Sequence, residues 1–178
     1  MTFFARMDSA LGPVLTVSDG TSLTGLYFVG QKYQLQPELD WTEAPDLSVL
    51  RRATTQLREY FAGERRVFAL PLAPAGTPFQ QRVWKALCAI PYGETLTYGA
   101  LSRSIGSPQS VRAVGAAVGR NPISIAIPCH RVIGGDGSLT GYAGGLARKQ
   151  ALLDLEGAQA SFALGTDSSC QPVSNLAC

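Results

Sequence analysis

Three prolines within nine residues divide this chain of 178 residues into two unlike parts. Proline has no backbone N–H and a fixed φ angle, so the segment containing Pro71, Pro74 and Pro78 cannot continue a regular helix or strand. We therefore predict a domain boundary in this segment. The predicted organisation is an N-terminal domain (residues 1–76), a second domain (residues 77–157) and a flexible tail (residues 158–178).

The part before the prolines has the pattern of a small antiparallel sheet covered by one helix. Strand-like runs over residues 2–7, 14–17 and 23–29 are separated by glycine-containing turns. A helix is predicted to begin near Ser48 and to end at Gly63, because apolar side chains recur at helical spacing between them. Its apolar side should cover the sheet.

The part after the prolines is mostly helical. A helix is predicted to begin at Pro78, which suits a first helical position, and to end before Pro91. Two short helices follow, over residues 98–105 and 110–118, at a spacing that resembles a helix-turn-helix. With a final helix over residues 145–156, the predicted fold class is mixed α/β (α+β).

The second helix of that pair is almost free of bulky side chains. Its run from Ala113 to Gly119 contains only Ala, Val and Gly, and Arg112 projects from its first half. Such a helix could bring its backbone very close to another surface. Close packing against a second helix inside the protein would use the same small residues, so the pattern leaves both interpretations open.

The only histidine of the chain, His130, directly follows Cys129. A thiol is a strong nucleophile as thiolate, and imidazole is the side chain best able to take its proton near neutral pH. Because consecutive side chains diverge on strands and helices, we expect a water between the two groups rather than direct contact. A carboxylate, for which Glu156 is the candidate, would hold the second ring nitrogen. A buried structural cysteine beside a hydrogen-bonded histidine is the alternative.

The sequence on both sides of the Cys129-His130 dipeptide favours a reactive site over a structural cysteine. The apolar run over residues 123–127 is interpreted as a strand leading into Cys129. Six glycines within residues 134–145 could bring backbone amides against a ligand. Turn chemistry alone would also explain these glycines, but their position directly after the dipeptide favours a pocket wall.

Composition excludes several classes of protein. With 46% hydrophobic and 16% charged residues the chain is typical of globular proteins, and no stretch approaches the roughly 20 apolar residues of a membrane span. The N-terminus lacks the pattern of a signal peptide, so we expect a cytoplasmic protein. The four cysteines have no CxxC spacing and, with one histidine, form no zinc signature, so no metal is expected. The net charge of +2 is concentrated after the prolines, which suits either modest contact with a polyanion or a solvated face.

Ordered motifs between Phe79 and Gly157 resemble a known family. They include Ile90-Pro91-Tyr92-Gly93-Glu94-Thr95, Arg112-Ala113-Val114-Gly115, Asn121-Pro122, Ile127-Pro128-Cys129-His130-Arg131-Val132-Ile133 and Gly141-Tyr142. Together they closely resemble the methylated-DNA–protein-cysteine methyltransferases, also called O6-alkylguanine-DNA alkyltransferases. The resemblance implies a ribonuclease-H-like N-terminal sheet domain and a winged-helix-like C-terminal domain for DNA binding and catalysis.

The resemblance implies direct-reversal DNA repair without a cofactor. Cys129 would irreversibly accept a methyl or other alkyl group from O6-alkylguanine, and from O4-alkylthymine, once per molecule. His130 would take the thiol proton through a water, and Glu156 would orient the imidazole. Tyr98 would donate toward guanine N3 and help to rotate the nucleotide out of the duplex, and Asn121 would brace the turn before the cysteine.

The resemblance also implies how DNA is held. The small-residue helix would lie in the minor groove of double-stranded DNA, where Arg112 would fill the gap left by the flipped guanine. The implied DNA contacts are Tyr98, Arg112, Ala113, Gly115 and Ala116. The implied pocket residues are Val132, Tyr142, Ala143 and Gly144. A monomer is expected, and the competing functions are a non-catalytic module that binds alkyl damage and, in another class, a cysteine hydrolase.

Overall fold

A computed structural model describes residues 1–158 of the chain. The tail that we predict to be flexible, residues 158–178, lies outside the described residues except for Ala158. Within the described part, no helix is both long enough and apolar enough to cross a membrane.

The N-terminal part is a sheet of four strands in the order β3-β2-β1-β4. These strands are β1 (Phe3–Met7), β2 (Val14–Ser18), β3 (Leu23–Phe28) and β4 (Thr42–Glu43). The first three pair antiparallel as predicted, whereas β4 pairs parallel with β1. The fourth strand, β4, was not predicted, and it adds a parallel edge to the predicted antiparallel sheet. A strand of two exposed residues has too little alternation of apolar and polar side chains to be recognised in a sequence.

The helix α1 (Ser48–Phe61) packs across this sheet through the apolar face that the sequence predicts. Leu50, Ala53 and Leu57 on this face are fully buried. The same buried cluster continues through Val83 into the helices after the proline segment. Both parts of the chain therefore contribute to one core.

Four helices and a two-stranded sheet make up the second part. They are α2 (Pro78–Cys88), β5 (Leu96–Thr97), α3 (Tyr98–Ser104), α4 (Val111–Gly119), β6 (Val132–Ile133) and α5 (Leu146–Leu155). Thr77 caps α2 by accepting from the Gln80 amide, and the Gln80 side chain accepts from the Thr77 amide in return, so Pro78 takes its favoured first position. The predicted fold class, an N-terminal sheet with a mostly helical second part, is confirmed.

The segment before Cys129 differs from its prediction. Residues 123–127 form turns rather than a strand, because Ile125 has a left-handed backbone with φ of 70° and the Ile127 amide donates to the Ile123 carbonyl. Only the start of the segment joins the sheet: the Leu26 amide donates to Pro122 and the Ser124 amide to Leu26, both over 2.9 Å. The edge of the N-terminal sheet thus anchors the chain that leads to the cysteine.

Candidate active site around Cys129

Cys129 begins a single 3-10 turn, Cys129–Arg131, and is 3% exposed. The side chain of Asn121 holds the turn: its Nδ2 lies 2.8 Å from the Ile127 carbonyl oxygen and 3.1 Å from Cys129 Sγ. The amide of Ile123 donates to Asn121 Oδ1 over 3.0 Å. One side-chain amide therefore fixes the loop and also points a donor at the sulfur, where it stabilises negative charge.

His130 and Glu156 are completely buried, and His130 Nε2 lies 2.7 Å from Glu156 Oε1. Arg131 Nε donates to Oε2 of the same carboxylate over 2.8 Å. Burial alone would raise the pKa of Glu156, but the bonds from His130 and Arg131 hold that pKa well below its usual value. Because an ionised carboxylate only accepts, Nε2 must carry the imidazole proton, which leaves Nδ1 as an acceptor.

The free nitrogen of His130 is a buried acceptor. Among residues 1–158, Nδ1 has no hydrogen-bond partner. Burial lowers the pKa of His130 below its usual value, although Glu156 works against this shift. The imidazole is therefore neutral at pH 7 and able to take up a proton on Nδ1.

The thiol of Cys129 is protonated at rest. Burial raises its pKa, and the Asn121 bond and the positive charge of Lys149 offset this only in part. Lys149 is itself fully buried on α5, and burial lowers its pKa to about 8. The site thus combines a thiol that needs a base with charges that favour the thiolate once it forms.

Three residues of the site, Lys149, Arg131 and Tyr60, are not among those predicted from the sequence. Lys149 had a recognisable signal, since it lies three residues before Leu152 on the buried side of α5. A lysine at a core-facing position is seldom tolerated without polar partners. Tyr60 had no such signal, because it appears as one more apolar residue on the buried face of α1.

Three of the four predicted pocket residues, Tyr142, Ala143 and Gly144, lie on the glycine-rich loop of residues 134–145, called here the pocket loop. The Thr140 carbonyl of this loop accepts from Lys149 Nζ over 2.8 Å. Tyr98 Oη lies 3.1 Å from the Thr140 carbonyl oxygen and 3.3 Å from that of Gly141, so its hydroxyl proton is directed at this loop. The Ala143 carbonyl accepts from the Lys32 amide over 3.0 Å, which ties the loop to the N-terminal part.

Two further pocket residues have well-defined surroundings. A Cβ atom at position 144 would lie 2.7 Å from the ring of Tyr142, so only glycine fits beneath that ring. Val132 lies on β6, where it pairs with Leu96, and it is fully buried.

Four of the five predicted DNA contacts lie on α4, and the fifth, Tyr98, is the first residue of α3. Arg112, Ala113 and Ala116 are exposed, and Gly115 lies against the ring of Tyr98. The inner side of α4 packs on α2, where Trp84 Nε1 donates to the Ala117 carbonyl over 2.9 Å. Internal packing therefore does not account for the small size of Ala113 and Ala116.

Both parts of the chain match models of one protein family. Residues 3–74 match the ribonuclease-like domain of 6-O-methylguanine DNA methyltransferase, and residues 78–158 match its DNA binding domain. The chain belongs to the 6-O-methylguanine DNA methyltransferase family. The family predicted from the motifs is thus confirmed, and the residues between the two matches lie in the proline segment.

Relatives of this methyltransferase family resemble the chain over nearly its full length. The methylated-DNA–protein-cysteine methyltransferase of Mycobacterium tuberculosis is 49% identical over 160 residues, covering 90% of this chain and 95% of the relative. That of Methanosarcina acetivorans is 48% identical over 155 residues, covering 87% and 98%.

Solved structures of the methyltransferase family have the same fold. The Mycobacterium tuberculosis protein OGT in complex with DNA superposes with a TM-score of 0.80 at 48% identity, covering 87% of this chain and 92% of that one. The O6-methylguanine-DNA methyltransferase of Pyrococcus kodakaraensis gives 0.61 at 25% identity, covering 88% and 99%. Within this methyltransferase fold, Cys129, His130 and Glu156 belong to the part matched as the DNA binding domain, and Tyr60 to the ribonuclease-like part.

Proposed function

We propose that this protein repairs DNA by transferring a methyl or larger alkyl group from O6 of guanine to Sγ of its own Cys129. The observation that carries the proposal is the buried thiol beside a neutral imidazole whose other nitrogen is held by an ionised carboxylate. This arrangement, in a chain of the 6-O-methylguanine DNA methyltransferase family, suits a cysteine that is activated only when a substrate fills the site. O4-alkylthymine presents the same alkyl–oxygen bond and is proposed as a second substrate.

The proton path begins at the thiol. The thiol proton would pass through a water to His130 Nδ1, and Glu156 would stabilise the imidazolium that forms. Asn121 Nδ2 and the Lys149 charge favour the thiolate. These are the groups that lower the cost of ionising a thiol whose pKa burial has raised.

The transfer itself is a single in-line displacement. A bond forms between sulfur and the alkyl carbon as the carbon–O6 bond breaks, and the guanine leaves with the bonding electron pair and takes up one proton. We propose that Tyr98 turns its hydroxyl from the pocket loop toward guanine N3 and so makes the base a better leaving group. The product is a thioether, which water does not cleave, so each molecule reacts once and needs no cofactor.

The substrate base must leave the duplex to reach a sulfur that is 3% exposed. We propose that α4 enters the minor groove, where exposed Ala113 and Ala116 permit close approach to the DNA backbone. Arg112 would occupy the gap that the flipped guanine leaves in the duplex. The guanine itself would lie in the pocket against four residues, Val132, Tyr142, Ala143 and Gly144. Monomeric binding and a cytoplasmic location stay predictions.

The test is the intact mass of the protein after incubation with an oligonucleotide that contains O6-methylguanine. We expect one methyl adduct per molecule, located on Cys129 by peptide mapping. Cys129→Ser is the matched control, since a hydroxyl of similar volume and much higher pKa should abolish transfer and leave DNA binding nearly intact. Repeated demethylation without an adduct would indicate a hydrolase, and binding without either would indicate a damage-binding module.

A further inference from the structure

The hydroxyl of Tyr60 lies in the candidate active site, although α1 belongs to the other part of the chain. Tyr60 Oη donates to Glu156 Oε1 over 2.7 Å, and both side chains are buried. This oxygen is the one that also accepts from His130 Nε2 over 2.7 Å. The helix that covers the N-terminal sheet therefore contacts the carboxylate that holds the histidine.

The carboxylate of Glu156 has a full set of donors. Oε1 also accepts from Arg131 Nη2 over 3.0 Å, and Oε2 accepts from Arg131 Nε over 2.8 Å and from the Gly93 amide over 3.3 Å. Each donor draws negative charge from the oxygen that it contacts and makes that oxygen less basic. Tyr60 and His130 share Oε1, so the tyrosine weakens the attraction of Glu156 for the Nε2 proton.

The geometry of Tyr60 is set by its neighbours. Its ring centroid lies 5.6 Å from that of Phe61, 5.4 Å from Phe68 and 6.3 Å from Tyr92. Burial, and next the charge of Glu156, raise the pKa of Tyr60 far above its usual value, so its hydroxyl remains a donor at neutral and moderately alkaline pH. A phenylalanine would retain these ring contacts and remove only the hydroxyl.

We propose that Tyr60 is a positioning residue for alkyl transfer, whose hydroxyl limits how strongly Glu156 stabilises the imidazolium form of His130. With this hydroxyl in place, His130 stays neutral and ready to accept a proton at lower pH than it otherwise would. The inference rests on the proposed function in one respect, that His130 accepts the thiol proton.

Other groups around His130 favour either its neutral or its protonated form. Glu156 favours the imidazolium, whereas burial and the charges of Arg131 and Lys149 favour the neutral ring. Cys129 precedes the histidine in the chain, and Tyr142, whose pKa burial raises well above its usual value, is neutral. Removing the Tyr60 hydroxyl leaves all of these charges in place and strengthens only the contribution of Glu156.

The test compares Tyr60→Phe with Tyr27→Phe. Tyr27 is 2% exposed on β3 in a separate apolar cluster with Phe4, Leu15 and Val17, so it controls for the loss of a buried tyrosine hydroxyl. Two quantities are measured: the NMR resonance of the His130 Nε2 proton and the rate of methyl transfer between pH 5 and 9. The resonance is assigned without ambiguity, because the chain contains a single histidine.

In Tyr60→Phe we expect the Nε2 proton resonance to move downfield, because Oε1 becomes a stronger acceptor. The acid-side midpoint of the rate profile should rise by about 0.5 pH unit, since the imidazolium is better stabilised. Tyr27→Phe should leave both quantities at their wild-type values. Tyr60→3-fluorotyrosine, whose hydroxyl is a stronger donor, should shift both in the opposite direction, and it serves as the test if Tyr60→Phe does not fold.

An unchanged Nε2 resonance in the Tyr60 variants would overturn the proposed coupling. A resonance that moves while the pH midpoint stays at the wild-type value would overturn its role in the reaction. Failure of the proposed function is distinguishable from both, since the wild-type protein would then take up no methyl group while the resonance would still report the coupling.

Discussion

Lys149 Nζ donates to the Val132 carbonyl oxygen over 2.6 Å. A second carbonyl, that of Thr140, accepts from the same ammonium over 2.8 Å. Because Val132 lies on β6 and Thr140 lies on the pocket loop, one buried cation joins the two walls that the flipped base would contact. The same cation is among the groups that lower the pKa of Cys129.

Lys149→Met is expected to reduce both stability and reactivity. The free energy of unfolding should fall by about 2–4 kcal/mol, since two buried carbonyls lose a donor. Methyl transfer should slow because the thiolate loses a nearby positive charge. Urea unfolding and single-turnover kinetics measure the two effects, with Lys85→Met on the exposed side of α2 as the control. Wild-type transfer in Lys149→Met would show that this charge does not assist the thiolate.

Arg112→Ala should slow repair of a methylated duplex far more than reaction with the free base. Without a side chain to fill the gap, the flipped state loses support, and each 1.4 kcal/mol lost slows the reaction by about tenfold. Single-turnover rates on duplex and on free O6-alkylguanine provide the comparison. The matched control is Arg51→Ala, a substitution at an exposed position of α1. Equal slowing on both substrates would place Arg112 in the pocket or in folding instead.

DNA binding should be salt-sensitive and almost independent of sequence. The outer side of α4 presents one arginine and small apolar groups rather than a set of base-reading side chains. With a handful of phosphates neutralised, log K should fall against log salt with a slope of roughly −3 to −5, at about −0.9 per phosphate. Titrations of several undamaged duplexes at increasing salt measure this. A steep slope with strong preference for one undamaged sequence would identify a regulator.

Glu156→Gln should be destabilising at neutral pH and less so in acid. The variant leaves Arg131 buried without its counter-ion, at a cost of about 3–5 kcal/mol at pH 7. The pKa of Glu156 is depressed by folding, so its contribution is fully present above the unfolded value of about 4.3 and is lost as pH falls toward the folded value.

Urea unfolding at pH 7 and pH 3 measures this dependence. The difference in unfolding free energy between wild type and Glu156→Gln should be smaller at pH 3. Glu94→Gln, an exposed change before β5, should show no such difference at either pH. An equal gap at both pH values would mean that Glu156 is not ionised in the folded protein.

Local rules predicted most of the elements well. The start of helix α2 at Pro78 was predicted correctly, because a capping residue followed by a proline marks a helix start within neighbouring positions. The strand expected over residues 123–127 was wrong, because an apolar run indicates burial and does not distinguish a strand from buried turns. The left-handed Ile125 breaks this run next to Ser124, whose amide donates to the Leu26 carbonyl 98 positions away in the sequence. A contact of that separation is not visible in the local pattern.

By itself, the sequence determined the family and the fold class and pointed to Cys129 as the candidate nucleophile, because these depend on motifs and periodicities within short stretches of chain. The sequence already offered Glu156 as the partner of His130, but only the tertiary structure brought Tyr60, Arg131 and Lys149 to the same site. Glu156 meets His130 across 26 positions and Tyr60 across 96 positions of the chain. Residues so far apart in the sequence meet because the shared core brings α1, α5 and the Cys129 turn together. Burial in that core strengthens the electrostatic effect of each hydrogen bond.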